Sequence, residues 1–372
     1  ELRITVKGIF TPTLYNTLDG TIQNAEYIHE NGDTVIFAPC YPLDSFLYLL
    51  TPSQERSKKR AQTTQTKAVE QSIFVPNFVP FVRSEPNVLV LDMPEWSRDG
   101  ECFMPREEIL RIDRIVRSQL GYPAADGCDV QPWRLSTIVP SEFVWLRYTI
   151  ESEITAPCML GYEYADSVLF NGKDIPVSKD GWYVDKEIYT MRLPMLVKGK
   201  NELIVRVPIS ARISMENLFL LGDFGIETLG EHTKITELPS VLTFDALRKQ
   251  GMPFYGANIT YKIPFVCDAG DLTVVADYYI GALISARLDG IEIGKIVSPP
   301  YKLQIENVKR GEHLLELTLY GTRGNTFGAL HLTTPKNWKG PDMWYSGNNM
   351  WSYEYCLHDM GIMKKPELTL KK

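Results

Sequence analysis

Trp338, Trp344, Tyr345, Asn348, Asn349, Trp351 and Tyr353 crowd one short stretch near the C-terminus, with Gly340-Pro341 and Gly347 among them. Indole and phenol faces stack on the apolar C–H faces of sugar rings, and side-chain amides hydrogen-bond ring hydroxyls, so these residue types together suit carbohydrate binding. Large rings in a loop-like, Asn- and Gly-rich segment are costly to leave in water. They must therefore bind or pack, and the other outcome is that Trp344, Trp351 and Tyr353 plug the end of a β-sandwich or face a neighbouring one. A weaker surface of the same kind is Trp182-Tyr183 with Asp180 and Asp185.

Hydrolysis of a glycosidic bond would need two carboxylates held across it. Asp92, Glu95, Asp185, Asp223, Glu354 and Asp359 are the candidate acids, but no β/α alternation offers the strand ends of a barrel to carry them. The five histidines, His29, His232, His313, His331 and His358, stand beside no G-x-S-x-G elbow, and neither H-E-x-x-H nor a P-loop occurs. We assign no catalytic residue and no metal ligand. The six cysteines lack C-x-x-C spacing, which indicates neither a zinc site nor a disulfide scaffold; Cys158 and Cys267 sit in apolar runs and read as small core residues.

The elements that would position these groups come in two copies. Tyr148-Thr149-Ile150, then Val168 to Lys173 with Asn171-Gly172, then Val197-Lys198-Gly199-Lys200-Asn201-Glu202-Leu203, then Phe219 to Ile226, reappear in order. The second set is Tyr261-Lys262-Ile263, Ala286 to Glu292 with Asp289-Gly290, Val308-Lys309-Arg310-Gly311-Glu312-His313-Leu314, and Tyr355 to Ile362. Asn-Gly and Asp-Gly between apolar runs predict two-residue hairpins. Leu203/Val205/Val207 and Leu315/Leu317/Leu319 alternate with polar residues, which predicts strands with one buried face. Asp223 and Asp359 occupy equivalent places, which argues for a shared structural bond and against catalysis, and His313 takes the turn position of Asn201.

The expected fold is all-β: tandem β-sandwich or jelly-roll domains with a few short helices. One helix starts from Pro105, with Ile109, Ile112, Val116 and Leu120 on one face and Gly121 as its stop; Arg111, Arg114 and Arg117 are expected on a solvated face. A shorter counterpart is expected over Thr243 to Gly251. Boundaries are expected at 1–80 for a small β-sandwich plus polar linker, 81–235 for a first roll and 236–372 for a second. At 372 residues the chain is long for one core, and its net charge of −7 gives no support to nucleic-acid binding. No run is long and apolar enough to span a bilayer, and no signal peptide begins the chain. Glu1 in place of Met leads us to expect a processed chain or a piece of a longer one.

The order of strand, NG or DG turn and G-x-N/H-x-L strand resembles the sugar-binding jelly roll of family-2 glycoside hydrolases, within the galactose-binding-like group. It covers residues 85 to 364, with Ile293-Gly294-Lys295-Ile296 before Pro299-Pro300-Tyr301 as a further piece in the second copy. Tyr15 to Ile22 followed by Tyr41 to Ser45 resembles the β-sandwich that follows the catalytic barrel in large rhamnosidase-like glycoside hydrolases, departing from it at Asn16, where an acidic residue is usual. The resemblance implies an accessory, non-catalytic carbohydrate-binding or structural region of a multidomain, bacterial polysaccharide-degrading hydrolase. Its partners would be a poly- or oligosaccharide and an upstream catalytic domain, in the periplasm or outside the cell. The alternatives are a hydrolase in its own right, with a carboxylate pair between the rolls, and a structural or adhesion module without sugar affinity. The resemblance allows a structural calcium, for which no ligand motif is present; no other cofactor is implied.

Overall fold

The computed structural model describes residues 1–17, 20–42, 44–54, 70–122, 140, 142–211, 213–333 and 350–372. These form an all-β, multi-sheet sandwich protein with antiparallel pairing almost throughout. Residues 1–54 supply two small three-stranded sheets, one ordered Leu2–Lys7, Asp33–Ala38, Glu26–Glu30 and the other Ile22–Asn24, Phe10–Tyr15, Leu47–Pro52.

Two hydrophobic cores follow, and the repeated landmarks build both in the same way. In the first, the hairpin Ser167–Phe170/Lys173–Ile175 pairs with Gly199–Ile209, which pairs with the opening strand Glu142–Ser152. In the second, Leu283–Leu288/Ile291–Ile296 pairs with Gly311–Tyr320, and that with Ile259–Cys267. Tyr148 lies opposite Leu203 and Tyr261 opposite Leu317. Both hairpin turns hold two successive residues at positive φ, 50° and 73° at Asn171-Gly172 and 51° and 81° at Asp289-Gly290, which is why these residue types recur there.

The facing sheet of the first sandwich runs Gly181–Tyr183, Asp185–Leu196, Ala156–Tyr162, Leu218–Gly222, Asn87–Leu91. That of the second runs Lys302–Val308, Gly270–Val275, Glu367–Lys371, Glu70–Ile73. Glu70–Ile73 and Val79–Arg83 therefore complete sheets of the second sandwich although they precede the first in sequence. Cys158 and Cys267 are buried in these cores, and burial pushes the Cys158 thiol up to about 12.

The same side-chain lock closes each hairpin onto its sheet. Asn171 Oδ1 accepts from the Glu202 amide while Asn171 Nδ2 donates to Asn201 Oδ1, and Asn201 donates to the Val197 carbonyl. In the second copy Asp289 accepts from the Leu314 amide and from His313 Nδ1, and His313 Nε2 reaches the Lys309 carbonyl. Asp223 and Asp359 likewise share a role, pairing with Arg83 and Arg248.

Two local expectations are corrected. The helix runs Ile109–Leu120 with Glu108 as N-cap and Gly121 at φ 69°, and Arg117 does not face water: it is 2% exposed and bonded to buried Asp113 at 2.7 Å. The segment Thr243 to Gly251 forms only the 3₁₀ turn Leu247–Lys249, and the Gln250 side chain ties the residues before it, accepting from the Thr243 amide and donating to the Asp245 carbonyl.

Candidate functional site

The two sandwiches meet along a seam, and several buried titratable groups collect there. Phe254, Phe327, Leu330, Tyr355 and Leu357, all from the C-terminal part, pack on the first core. Phe327 stacks with Tyr183 at a centroid distance of 6.2 Å and lies tilted against Phe219 at 5.2 Å. At the seam's centre Asp92, 3% exposed, follows the strand Asn87–Leu91. Its carboxylate accepts from Tyr355 Oη at 2.8 Å and from His331 Nε2 at 3.1 Å. The other ring nitrogen of His331 faces the Ser352 carbonyl at 2.9 Å. Both nitrogens thus meet acceptors only, and the doubly protonated ring is the form that satisfies both. Burial opposes that charge, but the hydrogen bond and the charge of Asp92 outweigh it and raise the His331 pKa.

Glu108 stands on the other side of Asp92 and caps the helix by accepting from the Arg111 amide at 3.1 Å. Burial, with the Asp92 charge added, pushes it up to about 7. A raised acid beside a second carboxylate is a pattern general-acid sites use. Here the adjoining cavity, lined by Asp92, Glu108, Glu216, Asn217, His331 and Trp351, measures only about 40 Å³. Such a volume holds a few water molecules and no pyranose ring.

These shifts set the pH response of the seam. Glu108 has a folded pKa above its ordinary 4.5, so the folded chain keeps a proton that the unfolded chain releases between about 4.5 and 7, and stability falls as pH rises through that window. For His331 the contribution is complete below the ordinary 6.5 and is lost as pH climbs through the raised folded value. Both act in one direction: melting temperature should decline as pH is raised from about 5 to 8, and Glu108→Gln should flatten the slope. Thermal melts across that range check it, and a rising midpoint would contradict it.

A larger pocket also has Asp92 on its wall. It measures about 380 Å³ and lies between Asn87–Leu91 and Glu142–Ser152, with Tyr355 of the second sandwich on its wall. Arg147 Nε donates to Glu95 at 2.8 Å, and its guanidinium lies 4.0 Å from the Phe103 ring centroid. Arg106 donates to the Met93 and Glu231 carbonyls at 3.1 and 2.7 Å and lies 3.4 Å from the Glu231 carboxylate. Tyr148 reaches the same pocket, 3% exposed, with its hydroxyl buried and without a hydrogen-bond partner.

Of the aromatic stretch, Trp338, Trp344, Tyr345, Asn348 and Asn349 lie outside the described residues. Trp351 is half-buried, its ring edge-on to Tyr353 at 4.5 Å, tilted on His331 at 5.6 Å and 4.4 Å from the Arg111 guanidinium. Tyr353 is 42% exposed and donates to Glu107 at 3.0 Å. These two rings tie the second sandwich to the helix of the first. Trp182 is 58% exposed, whereas Tyr183 is buried in the Phe219/Phe327 cluster. Asp185 accepts from the Glu187 amide on the rim of a separate groove.

Asp92, Glu95 and His331 were visible in sequence as titratable candidates; Arg106, Arg147, Tyr148, Glu231 and Tyr355 were not singled out for chemistry. Among the described residues no cluster of three or more His, Cys, Asp or Glu side chains is arranged to hold a metal ion.

No family model matches the chain, and no curated protein matches it. Solved structures with local similarity include a rhamnosidase from Novosphingobium sp. PP1Y, at 15% identity and TM-score 0.26 over 63% of this chain and 23% of that one. A β-D-mannosidase from Dictyoglomus thermophilum aligns at 13% identity and TM-score 0.25, over 63% and 31%, and an exo-chitosanase from Amycolatopsis orientalis at 9% and 0.26, over 63% and 29%. The chain spans under a third of the length of each of these three. At such TM-scores the likeness carries no argument for what this chain does.

Proposed function

We propose that the chain is an accessory, non-catalytic region of a multidomain glycoside hydrolase acting on polysaccharide, in which two galactose-binding-like rolls brace an upstream catalytic domain and bind carbohydrate. In this reading residues 1–80 trail the upstream domain, apart from the two strands lent to the second sandwich, 81–235 form the first roll and 236–372 the second. The observation that carries it is the polar pocket at the seam. Its volume of about 380 Å³ falls in the range of small-molecule sites, about 300–1,000 Å³. Two Arg–carboxylate pairs set donors and acceptors side by side on its walls, the arrangement that neighbouring sugar hydroxyls engage.

Calorimetric titration of a polysaccharide and monosaccharide panel tests the reading, with Arg147→Ala as the control. Saturable heats that the substitution weakens about tenfold or more are expected, since bonds to charged groups contribute about 1.5–3 kcal/mol. A flat response to every glycan would leave a bracing module without sugar affinity.

A further inference from the structure

The duplication supplies its own control for the seam pocket. Tyr148 and Tyr261 occupy the same place in the two opening strands, and Ile226 and Ile362 the same place at the ends of the two copies. In the second sandwich the Tyr261 hydroxyl accepts from the Ile362 amide at 3.4 Å. In the first, the Ile226 amide donates instead to the Gly251 carbonyl at 2.9 Å, and the Tyr148 hydroxyl has no partner. A buried hydroxyl without a hydrogen bond is costly to a fold, and this one sits where the pocket reaches the core.

The arginines and the buried carboxylate around it are already paired, and the remaining carboxylate of the lining, Glu151, is exposed to water. Arg106 is matched by Glu231, Arg147 by Glu95, and Asp92 by His331. A ligand carboxylate would compete with Glu95 or Glu231 for its guanidinium, and a ligand ammonium could reach either of those two carboxylates only by displacing an arginine. Hydroxyl groups need neither exchange: each can accept from a guanidinium edge and donate to its carboxylate while both pairs persist.

We infer that the seam pocket is a binding site for an uncharged, polyhydroxylated ring, a neutral pyranoside, one of whose hydroxyls bonds to the Tyr148 hydroxyl. This deepens the proposed function and rests on it.

Titrations of the whole chain with methyl glycosides of neutral hexoses and 6-deoxyhexoses, of a hexuronate and of a hexosamine separate the two ideas. At least one neutral glycoside is expected to bind, and neither charged sugar comparably. Tyr148→Phe keeps the ring and removes only the unpartnered hydroxyl, so it should raise the melting temperature of the free protein while weakening the neutral sugar about five- to tenfold. Glu231→Gln uncovers the charge of Arg106 and should bring in hexuronate binding. If the hexuronate or the hexosamine binds wild type and neutral glycosides do not, the ligand class is overturned and carbohydrate binding stands. Neutral binding that Tyr148→Phe leaves unchanged overturns the role of Tyr148, and failure of every sugar overturns this site together with carbohydrate binding by the chain, leaving only the bracing role.

Discussion

Asp92→Ala is expected to cost about 3–5 kcal/mol of stability, the magnitude seen when one partner of a buried ion pair is removed. The carboxylate is 3% exposed and holds two groups from the second sandwich, His331 Nε2 and Tyr355 Oη. Without it, a ring poised to be protonated keeps only backbone carbonyls, those of Ser352 and Glu354, on its Nδ1 side, and a phenol buried at the seam loses its acceptor. Asp92→Asn should cost less, because the amide oxygen still accepts from one neighbour although its NH₂ group meets a donor at the other. Since the described residues form two cores, urea unfolding followed by fluorescence and by circular dichroism is the measurement. The wild-type curves should lie closer together than those of Asp92→Ala, in which the second sandwich is released first. Coincident curves with a loss below about 1 kcal/mol would mean that the seam is held by its apolar contacts alone.

How much of this was legible in sequence differs between fold and site. The repeat carried the fold: hairpins, partner strands and even the side-chain locks follow from aligned landmarks, because a hairpin's register and turn type are local properties. Asn201 and His313 are a clear instance, since an amide in one copy and an imidazole in the other do the same work two residues past the turn glycines Gly199 and Gly311. The seam was not legible. Asp92 and Tyr355 are 263 positions apart, and only the docking of one sandwich on the other brings them together. The order of the strands was equally hidden, because Glu70–Ile73 reaches past the whole first sandwich to pair with Glu367–Lys371. A hint did exist in the repeat: the two tyrosines match, but their surroundings do not, and a difference between copies can be judged only once both environments are seen.

Arg117 is the instructive misreading, and it yields the second large effect. Ile109, Ile112, Asp113, Val116 and Arg117 are the buried residues of the helix, and their spacing of i, i+3, i+4, i+7, i+8 is that of a single apolar stripe. By position Asp113 and Arg117 belong on the buried face, whereas the charge of Arg117 alone places it in water. The structure reconciles the two by pairing them: Arg117 Nε donates to Asp113 at 2.7 Å and Nη2 to the Ile213 carbonyl at 2.9 Å, while Asp113 accepts from the Met215 amide at 3.0 Å. The pair thus fastens the segment Ile213 to Met215 to the helix. Arg117→Met should destabilise by about 3–5 kcal/mol, because Asp113 is left buried opposite a thioether. Burial already raises the Asp113 pKa against the pull of its hydrogen bonds and of Arg117, so the single variant should also take up a proton there and lose least stability at acid pH. The double change Asp113→Leu with Arg117→Met removes both charges and should recover most of the loss, leaving as the residual cost the Met215 amide, the Ile213 carbonyl and the Ser214 hydroxyl without their side-chain partners. If the double variant is as unstable as the single one, the pair contributes through the backbone bonds it makes to Ile213 and Met215, and not through the charge it neutralises.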